Sequence, residues 1–120
     1  MVPWGTLATL TALIRLRFGY GEDFTEVSRL TVKAPRGVLV TVKCKGKGCP
    51  KKSSKRGKGK LIRFKTLERR LLPGVKLTVT VAKTGFIGRE TTFTIRSGRA
   101  PKRVDRCIKP GAKRAISCPS

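Results

Sequence analysis

The residues that could do chemistry in this chain are four cysteines and a large excess of cations. Cys44 and Cys49 are separated by Lys-Gly-Lys-Gly, and Cys107 and Cys118 by ten residues that include Pro110 and Gly111. An even cysteine count in a small chain without histidine points to two disulfides and an oxidising compartment. Local pairing, 44 with 49 and 107 with 118, is the simplest of the three connectivities. The competing readings are a four-thiolate zinc site and four reduced thiols in a cytosolic protein. The spacings fit zinc poorly, since its cysteines usually come in pairs two to four residues apart, so no metal or cofactor is expected.

The cations outnumber the acids 29 to 6, for a formal net charge of +23. Eight of the sixteen residues from 45 to 60 are basic and none is acidic: Lys45, Lys47, Lys51, Lys52, Lys55, Arg56, Lys58 and Lys60. The C-terminal stretch adds Lys102, Arg103 and Arg106, among others, against Asp105 alone. Such a chain repels itself and favours polyanionic surroundings, binding phosphate or carboxylate polymers by charge and counterion release. The expected partners are anionic polymers: cell-wall polymer, acidic polysaccharide or nucleic acid. The plainer reading is solubility or a biased composition. Lysine outnumbers arginine in 45–60, so bidentate recognition is not indicated there. No aromatic lies between Phe24 and Phe64, so that segment lacks a base-stacking platform.

Catalysis has little to draw on. There is no histidine, and Glu22, Asp23 and Glu26, half of all the acids, sit in one turn. That cluster reads as a solvated turn sooner than a weak calcium loop. Gly46 and Gly48 precede neither a helix nor a Gly-Lys-Ser/Thr sequence, so they are no phosphate-cradling P-loop. A non-enzymatic protein is expected.

The elements that must carry these residues read as strands. Ile14, Leu16, Phe18 and Tyr20 alternate with Arg15 and Arg17, which predicts a strand with the four apolar residues inward. Residues 27–34, 38–44, 61–65, 75–82 and 90–96 repeat the period of two, separated by turns rich in Pro and Gly. Residues 66–72 suggest one helical turn, and a last short strand falls near 104–108. Six or seven short antiparallel strands predict an all-β fold, an immunoglobulin-like β-sandwich, with a small β-barrel as the alternative. The expected organisation is a lead-in at 1–13, a sandwich at 14–98 carrying a basic, mobile loop at 45–60, and a disulfide-tied basic tail at 99–120 packed on the same domain.

One ordered set of motifs goes further. Cys44, Gly46, Gly48, Cys49 and Pro50 are followed by Leu72-Pro73-Gly74, then Gly85-Phe86-Ile87-Gly88-Arg89, Thr94-Ile95-Arg96-Ser97-Gly98, and Cys107 with Cys118. Over about residues 14–118 the chain resembles a module of secreted or surface proteins of high-GC actinobacteria. The resemblance implies a non-enzymatic, immunoglobulin-like extracellular module. No run is long enough to span a bilayer, and residues 1–14 lack the basic start of a signal peptide. A surface location therefore implies a leader lost from this sequence or a place within a longer chain. The leading expectation is a surface module adhering to anionic polymer through loop and tail. An intracellular nucleic-acid-binding protein and a spacer without ligand are the alternatives. Reduction should raise the intact mass by four hydrogens if both disulfides form; four free thiols in the native protein would overturn the oxidising assignment.

Overall fold

The computed structural model describes residues 9–118; residues 1–8 of the expected lead-in and the last two of the tail lie outside it. Nine strands follow in chain order: β1 (Leu13–Tyr20), β2 (Thr25–Lys33), β3 (Leu39–Lys45), β4 (Ser53–Arg56), β5 (Leu61–Arg63), β6 (Arg70–Leu71), β7 (Lys76–Ala82), β8 (Gly88–Arg96) and β9 (Arg99–Ile108). Among the described residues they form two antiparallel sheets and no closed barrel. One sheet has the order β1-β2-β5, with β6 also on β2; the other runs β4-β3-β7-β8-β9. The chain changes sheets between β2 and β3, β4 and β5, and β6 and β7. This is an immunoglobulin-like pairing, with β2 against the β5–β6 pair and β3 against β7, and with β9 added beyond β8.

The core follows from alternation on both sheets. Val40 lies opposite Val81, Val42 opposite Val79, and Leu77 opposite Phe93, all inward. They meet Ile14, Val27, Leu30 and Val32 of the other sheet in one buried cluster. Ahead of β1, the Leu10 amide donates to the Ile87 carbonyl at 2.9 Å, so the chain crosses to the larger sheet before joining the smaller.

Several expectations need correction. The segment 45–60 is not a free loop. Its middle forms β4, which pairs with β3 from Leu39↔Arg56 to Val42↔Ser53. Gly57 then tucks in beside it: its amide donates to the Val38 carbonyl at 2.7 Å and its carbonyl accepts from Gly37 at 3.1 Å. A Cβ at Gly57 would stand 2.4 Å from the Pro35 carbonyl oxygen, so glycine is required for this approach. The last strand is longer than expected near 104–108, since β9 runs ten residues along the edge of the larger sheet. Phe18 and Tyr20 are not inward. They are 39% and 53% exposed, because β1 is an edge strand whose register shifts between Arg17 and Phe18. The expected helical turn is a single 3₁₀ turn at Lys65–Leu67, after which the chain returns to pair with β2 as β6.

Two inward-pointing cations close the open sides of the sandwich. On the β4 edge, Lys55 Nζ donates to the Arg63 carbonyl at 3.1 Å and lies 5.3 Å from the Phe64 ring centroid. On the β9 edge, Arg103 Nη1 donates to the Ile14 carbonyl at 2.8 Å, over the Phe93 ring. Arg103 also holds the Asp105 carboxylate, which accepts from the Thr91 hydroxyl as well. Burial pushes the Asp105 carboxyl up, but the Thr91 hydroxyl and the Arg103 guanidinium outweigh it and leave the group below its ordinary range. The paired hydrogen bonds from Arg63 hold Glu68 below its ordinary range too.

Both carboxylates therefore release their protons more readily in the folded chain than in the unfolded one. Their contribution to stability is present above the unfolded-state pKa values, about 4 for both residue types, and is lost as pH falls through the lower folded values. Thermal denaturation between about pH 2 and pH 6 is expected to show a steep acid limb. The double variant Asp105→Asn, Glu68→Gln should flatten it; an unchanged slope would remove these two groups from the account.

Candidate functional site

The outer face of the five-stranded sheet is built by the residues that alternate with the core. Strand register sorts them into rows that cross the strands. Ser54, Thr41, Thr80, Glu90 and Arg106 make one row. Lys43, Thr78, Thr92 and Val104 make the next, and Lys45, Lys76, Thr94 and Lys102 the third. Arg56 and Leu39 flank the first row at the β4 end. Strands lie about 4.8 Å apart and alternate residues about 7 Å apart, so the platform measures about 19 Å from β4 to β9.

Its centre is a carpet of threonine. Thr41, Thr78, Thr80, Thr92 and Thr94 are all half-buried, while Lys43, Lys45, Lys76, Lys102, Arg56 and Arg106 are exposed around them. β-branched threonine suits the pleated surface and presents a hydroxyl that both donates and accepts. Thr41 shares its hydroxyl with Ser54 at 3.1 Å. Glu90 is the one acid in these rows, and no aromatic belongs to them. Lys45 stands directly opposite Lys76, a like-charge pair that costs stability in the free protein. The arrangement offers mobile point charges over a hydroxyl-bearing floor. It holds no nucleophile–base pair.

The cations expected from the sequence divide into three groups. Lys45, Arg56, Lys102 and Arg106 belong to the platform. Lys47, Lys51, Lys52, Lys58 and Lys60 are exposed in the connections on either side of β4. Lys55 and Arg103 are exposed at the sheet edges, where they also reach the Arg63 and Ile14 carbonyls. Arg56 makes a long contact of 3.4 Å to the Gly37 carbonyl as well. Lys43, Lys76 and the five threonines were missed as site residues. Their Thr-x-Thr spacing in β7 and β8 was visible as the polar side of two strands, but their convergence depends on register.

The cysteines are paired locally, Cys44 with Cys49 and Cys107 with Cys118. No thiolate is left to ligate zinc, and among the described residues no other group of acids or cysteines could hold a metal ion. Among the described residues no helix is long and apolar enough to cross a membrane. Set against known protein families, curated proteins and solved structures, the chain matches none of them.

The division of the cations is testable by stability alone. Lys55→Met and Arg103→Met should each lower stability by about 1 kcal/mol, because each abandons a carbonyl and, for Arg103, a carboxylate. Lys43→Met and Lys76→Met should leave the melting temperature unchanged or raise it. Equal effects from both pairs in thermal denaturation would erase the distinction.

Proposed function

We propose that this protein is a non-enzymatic β-sandwich module that binds anionic polymers across the outer face of its five-stranded sheet. One observation carries this reading: the strands β3, β4, β7 and β9 set Lys43, Lys45, Arg56, Lys76, Lys102 and Arg106 on one face of a single sheet. Their cations frame one threonine-lined face instead of decorating two unrelated sides. A linear phosphate, sulfate or carboxylate polymer laid on it would exchange its counterions for lysine ammoniums and take hydrogen bonds from the threonines. Lysine is suited to this because a flexible point charge follows a polymer of variable spacing.

Two disulfides fit an oxidising environment, and with it a secreted or cell-surface setting of the kind the actinobacterial resemblance implies. The same disulfides, and a face without stacking aromatics, count against an intracellular single-strand nucleic-acid binder. A spacer without ligand is the remaining alternative.

Binding to heparin, long-chain polyphosphate and duplex DNA as a function of salt tests the proposal. Replacing Lys43, Lys45, Lys76 and Lys102 by Ser should lower the log K against log salt slope on DNA by about one unit for each phosphate left unneutralised. Replacing Lys51, Lys52, Lys58 and Lys60 removes the same charge away from the platform and should cost clearly less. Equal losses would reduce the effect to net charge, and no salt-sensitive retention on any of the three would leave the spacer.

A further inference from the structure

The opposite side of the sandwich carries a different chemistry. On the outer face of the smaller sheet, Arg17 of β1 lies directly opposite Arg29 of β2, and Arg15 lies one step along the same face opposite Thr31. The next row is Leu13, Lys33 and Leu61. These residues line a groove of about 630 Å³, and no acid lines it. Among the described residues Arg15 and Arg17 have no carboxylate partner. Arg29 feels Glu68, but both oxygens of that carboxylate are already held by Arg63 at 2.7 Å.

Three features set this groove apart from the threonine platform. Its core cations are arginines, whose planar forks match an oxyanion bidentately where lysine cannot. Arg17 and Arg29 occupy directly opposed positions, where like charges destabilise a sheet unless an anion comes between them. Leu13 and Leu61 are 47% and 58% exposed on the same face, on either side of Lys33, one row from Arg15 and two rows from Arg17 and Arg29.

We propose that Arg15, Arg17 and Arg29 form a site for a single phosphate or sulfate monoester whose apolar substituent lies along Leu13 and Leu61. The oxyanion sits over the Arg15 row, where the Arg17 and Arg29 guanidiniums reach it from the adjoining row, and its substituent crosses one row spacing of about 7 Å to the leucines on either side of Lys33. The same headgroup chemistry is offered by a soluble alkyl ester and by an anionic lipid in a bilayer.

The test uses the whole chain and reads melting temperature and calorimetric binding with three probes: inorganic phosphate, hexyl phosphate below its aggregation concentration, and sodium chloride at matched ionic strength. Phosphate should raise the melting temperature and chloride should not. Hexyl phosphate should bind about tenfold more tightly than inorganic phosphate, the worth of about two buried methylenes. The double variant Arg17→Gln, Arg29→Gln should abolish the phosphate response while melting higher than wild type without ligand, because the repulsion is gone. Arg17→Lys keeps the charge and should still weaken binding by about tenfold, through loss of a charge-assisted bidentate contact. Leu13→Ser, Leu61→Ser should leave phosphate binding intact and remove the advantage of the hexyl chain.

Chloride matching phosphate, Arg17→Lys binding as wild type, or an unchanged hexyl advantage in the leucine variant would each overturn the site. Vesicles containing phosphatidic acid distinguish the sources. Recruitment lost in the Arg17→Gln, Arg29→Gln variant identifies a lipid headgroup; hexyl phosphate binding without recruitment identifies a soluble ester. The variant lacking Lys43, Lys45, Lys76 and Lys102 should keep the phosphate response, which separates failure of this site from failure of the polymer-binding face.

Discussion

The structure rests on the containment of unbalanced charge. With 29 cations and 6 acids, this chain cannot neutralise itself by ion pairing, and every basic side chain must reach water or find a carbonyl. A two-sheet sandwich answers that by giving each strand one apolar face, so the cations fall on the outer faces and at the edges. Two that alternation turns inward, Lys55 and Arg103, lie on the edge strands β4 and β9. There each can lean across the open side, donate to a carbonyl of the other sheet, and rest over an aromatic ring. Inward charges on edge strands also discourage pairing with another chain, so the same residues close the sandwich and keep its edges from extending.

Stability has to come from elsewhere, and the disulfides are placed accordingly. Cys44–Cys49 closes the turn that leaves β3, at the point where the most cationic part of the chain begins. Cys107–Cys118 folds the end of the chain back, so that Ile116 and Cys107 exchange amide–carbonyl hydrogen bonds at 2.8 Å each way. Short loops of this size are worth about 2–3 kcal/mol each in the chain-entropy account. The gain comes from restricting an unfolded chain that self-repulsion would otherwise expand. Both crosslinks sit where apolar burial is thinnest. The centre of the sheet needs none, because β7 and β8 bury a side chain at alternate positions along most of their length.

That contrast decides how much of the fold was legible in the sequence. Lys76–Ala82 declares itself, since Leu77, Val79 and Val81 alternate with threonine and each is fully buried. The strands that escaped are the edge ones. Ser53–Arg56 has no apolar residue at all, because its inward positions are a half-buried serine and the Lys55 clamp. Along β9 the inward positions are Arg103, Asp105 and Cys107, which form a hydrogen-bonded network where a central strand would place valines. Periodicity reports burial of apolar surface, and an edge strand held by backbone pairing and polar contacts leaves no such trace. Phe18 and Tyr20 fail the other way. They keep the alternation of a strand whose end, past a register shift, is exposed on both faces.

The candidate faces were legible only in part, for a related reason. The basic segments could be seen, but whether they converge is a matter of strand order. Thr78 and Thr92 are far apart in sequence yet directly opposed, and Arg17 meets Arg29 across a turn that contains Glu22 and Asp23. Once register is known, the cations separate by place. Four lysines with Arg56 and Arg106 surround threonine on the five-stranded face, while Arg15, Arg17 and Arg29 share the outer face of the smaller sheet with Lys33 and two exposed leucines. Hydroxyls beside lysine favour a hydrated, repeating anion that can slide. Leucines beside bidentate arginines favour one desolvated oxyanion held in place. Both faces stand on one core, and strand register decides which cations and which neutral neighbours each presents.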